Sequence, residues 1–124
     1  MKERARELKA EKNRADGEAT LLAKIEEMTG SDKTIAAGIH RIVSKVAPDL
    51  QPKTWYGMPA WTRDGKVVLF FQSAAKFDAR YATLGFNDQA KLDDGNMWAT
   101  SFAIRKLGPA EKERVTELVR KAAG

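Results

Sequence analysis

All ten aromatic residues of the 124-residue chain lie between Trp55 and Phe102, and that confinement decides most of what the chain can fold into. Aromatic and β-branched side chains suit a pleated, half-buried surface. The segments on either side are rich in Ala, Leu, Glu, Lys and Arg, which are good helix formers. The ends therefore read as helices and the middle as a sheet. One chain of this length fits one domain with a core of its own.

The helical ends divide further. Residues 2–14 offer only Ala5, Leu8 and Ala10 as apolar side chains, so a helix there has almost no face to bury and is expected to be solvated. After Gly17, the residues Leu21, Leu22, Ile25 and Met28 form an amphipathic stripe, ended by Gly30. Ser31 or Asp32 offers an N-cap for a third helix with Ile35, Ile39, Ile42, Val43 and Val46 on one face, stopped before Pro48. Pro109 at a first helical position opens the last helix, whose stripe is Val115, Leu118, Val119 and Ala122. Between these helices lie four candidate strands. The first is 53–62, with Gly57 and Pro59 placing it at an edge or bending it. Asp64-Gly65 is a hairpin signal into 66–72. The unbroken run Val67-Val68-Leu69-Phe70-Phe71 suggests cover on both faces. Residues 77–86 make a third strand with a bulge near Tyr81, Asn87 starts a short helix to Asp94, and Trp98, Thr100, Phe102 and Ile104 alternate through a fourth strand. The sum is α+β: a mostly antiparallel sheet of about four strands packed by N-terminal and C-terminal helices.

Composition removes several functions. There is no cysteine, which removes disulfides, thiolate metal sites and cysteine nucleophiles, and fits a reducing, cytoplasmic setting. Met1-Lys2-Glu3-Arg4-Ala5-Arg6 has no apolar run of the signal-peptide kind. The longest apolar run, Val67 to Phe71, is far below the ~20 residues of a membrane helix, so no membrane partner is expected. The net charge of +5 is uneven. Its excess sits in residues 31–76, where Lys33, Arg41, Lys45, Lys53, Arg63, Lys66 and Lys76 face only Asp32, Asp49 and Asp64. Such an excess can attract phosphate or nucleic acid, but these cations are spread over several elements, as on an ordinary solubilising surface. Nucleic acid therefore ranks behind a small or anionic ligand as the expected partner.

The stretch Trp55-Tyr56-Gly57-Met58-Pro59-Ala60-Trp61, followed by Asp64-Gly65-Lys66 and the Val67–Phe71 strand, resembles the YdhG-like domain family, whose hallmark is Tyr-Gly-Met-Pro-x-aromatic after a helix and before an apolar strand. Lys76-Phe77, Leu84-Gly85-Phe86 and the C-terminal helix match in order, so the resemblance spans about residues 35–122. It divides the chain into a helical extension, 1–30, and a YdhG-like α+β domain, 31–124. One branch of the family is described as a frataxin-like iron chaperone, which implies binding of a hard cation by surface carboxylates. The carboxylates available here are Glu3, Glu7 and Glu11, and Asp88, Asp93 and Asp94. Basic neighbours interleave both sets: Arg4, Arg6 and Lys9 in one, Lys91 in the other.

No catalytic residue, metal ligand set or cofactor motif is assigned. The serines lie in no nucleophile-elbow pattern, and no glycine-rich phosphate loop exists. His40 is the only histidine, one position off an apolar stripe, and reads as boundary packing. Six residues are the candidate ligand contacts: Tyr56, Trp61, Lys76, Arg80, Tyr81 and Trp98. Lys76, Asp78 and Arg80 would share one strand face, where two cations beside aromatic rings can hold a carboxylate or phosphate. Against this stands a structural reading in which Tyr56-Gly57-Met58-Pro59 is a bent edge strand and Trp98 fills the core. The expected function is noncatalytic binding of a small ligand or ion, ahead of a phosphate or nucleic-acid surface and an enzyme of unknown reaction. The oligomeric state is left open.

Overall fold

The computed structural model describes residues 2–124, and the side chains of all of these but 2, 3, 6, 7 and 10. The described elements are α1 (Lys2–Glu27), α2 (Gly30–Val46), β1 (Gln51–Trp55), β2 (Met58–Arg63), β3 (Lys66–Gln72), β4 (Ala82–Phe86), β5 (Ser101–Ile104) and α3 (Pro109–Ala123). The strands form one antiparallel meander in the order β1-β2-β3-β4-β5. The α+β class holds, with five strands rather than four.

The extra strand comes from Tyr56-Gly57. Both residues have positive φ, 51° and 76°, and they join the paired residues Trp55 and Met58. This is a two-residue hairpin loop of the primed kind, whose twist matches that of the flanking strands. Asp64-Gly65, at 52° and 79°, repeats the device between Arg63 and Lys66. The expected bend in a single strand is thus a full reversal. Pro59 stands just outside the β2–β3 ladder, which begins at Ala60↔Phe70, so its missing N–H breaks no pairing there.

Register sorts the sheet into two faces. Trp61, Leu69 and Phe86 form one cross-strand row, and Phe71, Leu84 and Phe102 another. These residues pack with Leu21 and Ile25 of α1, Ile35, Ile39 and Val43 of α2, and Val115 and Val119 of α3. All three helices therefore cover the same face, and the domain has two layers. Each fully buried Leu, Ile or Phe contributes roughly 1.5–3 kcal/mol. The opposite face carries the row Lys53, Ala60, Phe70, Gly85 and Ser101, one residue from each strand.

Five expectations change. The first two helices are one, because Gly17 does not break α1 but lets it approach β1: a Cβ there would lie 2.2 Å from the Pro52 carbonyl oxygen. The second half of the stretch 1–30 thus carries core residues. Residues 74–81 are a turn segment, with Asp78 at φ 49°, so the strand expected over 77–86 is regular only from Ala82. The register irregularity expected near Tyr81 lies instead at Trp61/Thr62. Asn87 to Asp94 is not helical: the Lys91 N–H is taken by the Ala122 carbonyl and Leu92 is buried in the core, so this backbone is engaged by α3. Finally, the fourth predicted strand is regular only from Ser101, and Trp98 is 38 % exposed rather than core.

Candidate functional site

The β1–β2 hairpin turn and the 73–81 loop after β3 lie at the same end of the sheet, where the α1–α2 junction meets them. The contact that fixes this junction is made by Asp32. It occupies the first turn of α2, and its two carboxylate oxygens accept from the Ala74 and Ala75 N–H groups, both at 3.0 Å. Thr29 holds the N-cap position without a side-chain cap bond, so the capping role expected of Ser31 or Asp32 is not taken up. Asp32 is 6 % exposed, and its charge is met by the two backbone dipoles.

Two clefts flank this clamp. The larger, about 420 Å³, has an apolar floor that includes Met58, Pro59 and Phe71, with Lys24, Ser73 and Lys76 among its polar residues. Lys24 is paired with Glu27 at 3.3 Å. Lys76 makes no ion pair among the described residues; its Nζ lies 3.4 Å from the Gly57 carbonyl oxygen. The lysine can sit there only because residue 57 has no side chain: a Cβ would stand 2.4 Å from Nζ. Gly57 therefore serves the turn and the site together. The smaller cleft, about 200 Å³, is lined by Ser31, Arg80, Tyr81 and Arg105, with Asp32 and Ala74 forming the wall toward the clamp. The Arg80 guanidinium carbon lies 5.4 Å from the centre of the Tyr81 ring.

The six sequence candidates separate accordingly. Tyr56, 82 % exposed, stands at the tip of the hairpin beside the glycine that Lys76 touches. Arg80 and Tyr81 belong to the smaller cleft, so Lys76 and Arg80 serve different clefts instead of one strand face. Trp98 lines neither. Trp61 is 1 % exposed, deep in the core. Its indole Nε1–H donates to His40 Nδ1 at 3.2 Å, and His40 Nε2 lies 3.1 Å from Glu18 Oε1. An indole nitrogen can only donate, so Nδ1 must accept and Nε2 carries the hydrogen given to Glu18. Both ring nitrogens are occupied, which ties α1, α2 and β2 together and leaves the histidine no free nitrogen for chemistry.

Sequence reasoning missed Asp32 as a clamp, and Lys24, Ser73 and Arg105 as lining residues. Asp32 carried a signal, as a carboxylate in a first helical turn, but the cap reading absorbed it. Arg105 follows the last strand and shows no pattern in sequence. No group of three His, Asp or Glu placed to hold a metal occurs among the described residues, and the side chains of Glu3 and Glu7 lie outside them. Among the described residues, no helix is long and apolar enough to cross a membrane. Comparison with known proteins finds no matching family model, no matching curated protein and no matching solved structure.

Proposed function

We propose that the chain is a YdhG-like binding domain that takes a small organic anion in the larger cleft and performs no reaction on it. The observation that carries this reading is the Lys76 ammonium, free of any ion pair among the described residues and held over Gly57 at a cleft with an apolar floor. A volume of about 420 Å³ lies in the range of small-molecule sites. The apolar floor suits a hydrocarbon or ring portion, and Lys76 suits a carboxylate or phosphate on it. Supporting the noncatalytic part, His40 has both nitrogens engaged by Trp61 and Glu18. Iron handling has less support, since the carboxylate that the junction does bury, Asp32, is consumed by two backbone N–H groups. The lack of cysteine supports a cytoplasmic setting.

A thermal-shift screen with small carboxylates and phosphate esters tests the reading, because a ligand that binds only the folded state raises the midpoint. At least one such anion is expected to raise it, and Lys76→Met is expected to abolish the shift while leaving the unliganded midpoint nearly unchanged. An anion that shifts Lys76→Met as much as the native chain, or a panel with no response, refutes the assignment.

A further inference from the structure

The face of the sheet that no helix covers has a composition of its own. The five strands contain three charged residues, Lys53, Arg63 and Lys66, and no carboxylate. Arg63 is neutralised by Asp49 at 2.7 Å, whereas Lys53 and Lys66 make no ion pair among the described residues. On this face Trp55 and Phe70 are half-buried with ring centres 5.3 Å apart, and Tyr56 extends the strip at 5.1 Å from Trp55. The far end of the Phe70 ring sits over Gly85, its cross-strand partner, because that residue has no side chain; a Cβ there would be 2.2 Å from the ring. Beside Trp55 runs an open groove of about 330 Å³, lined by Lys53, Trp55, Lys66, Asn87, Asp88 and Gln89 among others.

We propose that this open sheet face binds single-stranded nucleic acid, with unpaired bases stacked on Trp55 and Phe70 and the phosphates held by Lys53 and Lys66. The proposal does not depend on the anion cleft, which lies at the end of the sheet. Three features select this occupant. Aromatic rings presented on an antiparallel sheet stack any unpaired base, since every base has a π-face. A duplex keeps its bases stacked inside and offers these rings nothing. A second copy of the chain would bring the same two lysines against their own kind, with only Asp88 to offset them, so charge complementarity points to a polyanion. Asn87 and Gln89 add amide groups able to pair with base edges.

The test uses fluorescein-labelled ten-nucleotide dT and rU strands in 50 mM salt, read by anisotropy, with tryptophan quenching as a second signal. Binding of either strand is expected, and comparison of the two shows whether the ribose 2′-hydroxyl is read. Two phosphate contacts predict a slope of log affinity on log salt of about −1.4. Lys53→Glu with Lys66→Glu is expected to weaken binding more than tenfold; both side chains are exposed, so the fold is retained, as a circular dichroism melt will verify. Trp55→Leu is expected to cost about tenfold at unchanged salt slope, the signature of lost stacking rather than lost charge. The proposal is overturned if neither strand binds, if a duplex of the same length binds as tightly, if the lysine pair variant binds like the native chain, or if the chain dimerises through this face.

Discussion

Gly17→Ala separates two opposite expectations for one substitution. Within a helix, replacing glycine by alanine stabilises by about 1 kcal/mol through backbone entropy. At position 17, however, the new Cβ would lie 2.2 Å from the carbonyl oxygen of Pro52 and 3.3 Å from its carbon. The obstacle is backbone in β1, held in register by Pro52↔Trp61, and cannot rotate away as a side chain can. Restoring an ordinary contact needs about 1 Å of separation between α1 and β1. Leu21 and Ile25, one and two turns further along and buried in the core, would be drawn outward with the helix. Overpacking of this kind costs about 1–3 kcal/mol. Loosening of the Arg14 bond to the Pro48 carbonyl and of the Glu18–His40 contact adds to it. Net destabilisation of about 1–2 kcal/mol is therefore expected, against the sign of helix propensity. Urea denaturation of Gly17→Ala and of Ala19→Gly provides the measurement, since Ala19 is exposed two residues away and its replacement should show the bare propensity cost of about 1 kcal/mol. If Gly17→Ala instead raises the midpoint, α1 does not rest on Pro52, and the two-helix reading of residues 2–28 returns.

Two further outcomes are open to direct measurement. Trp61→Ala should cost roughly 3–5 kcal/mol in urea because it empties a fully buried site and strands His40 Nδ1, whereas Trp98→Ala, on a part-exposed side chain, should cost under about 1 kcal/mol; equal costs would refute the assignment of core and surface tryptophan. The Arg63 guanidinium, hydrogen-bonded to Asp49, holds that carboxyl below its usual range, so the pair stabilises the folded state at neutral pH and loses its contribution as pH falls below about 4 and Asp49 takes up a proton. Because the pair is exposed, Asp49→Asn should lower stability by less than about 1 kcal/mol at pH 7 and by nothing near pH 2; a difference that grows with acid contradicts the sign.

Much of the layer structure is legible in sequence because it follows local rules. Three apolar helical stripes, Leu21/Ile25, Ile35/Ile39/Val43 and Val115/Val119, all point into the core. Asp64-Gly65 announces its hairpin by residue type. Tyr56-Gly57 does not, because the first position of such a turn usually goes to Asn, Asp or Gly, and a tyrosine at φ 51° is uncommon. Gly17 misleads for a related reason: the rule that glycine weakens helices concerns the helix alone, while its use here depends on a strand thirty-five residues later. Asn87 to Asp94 carries helix signals at both ends, and these lose to the bond between Lys91 and the carbonyl of Ala122, a partner no local window contains.

The candidate site was legible in its charges and hidden in its geometry. Lys76, Arg80, Tyr56 and Tyr81 are conspicuous by type, and they do gather at one end of the sheet. A period of two placed Lys76 and Arg80 side by side, but that period requires a strand, and residues 74–81 form turns that Asp32 anchors at their start. Once its carboxylate takes the N–H groups of Ala74 and Ala75, those donors are withdrawn from any ladder, and the chain turns through Asp78 before pairing resumes at Ala82. The same two bonds divide the end of the sheet into a cleft with Lys76 and a cleft with Arg80. A single buried carboxylate, reading in sequence as a helix cap, thus anchors the turn that precedes β4 and stands between Lys76 and Arg80. Its replacement by asparagine keeps the size but offers one acceptor oxygen where the carboxylate has two, so at least one of the two N–H groups loses its partner. Loss of the separation between the clefts is the structural consequence that follows.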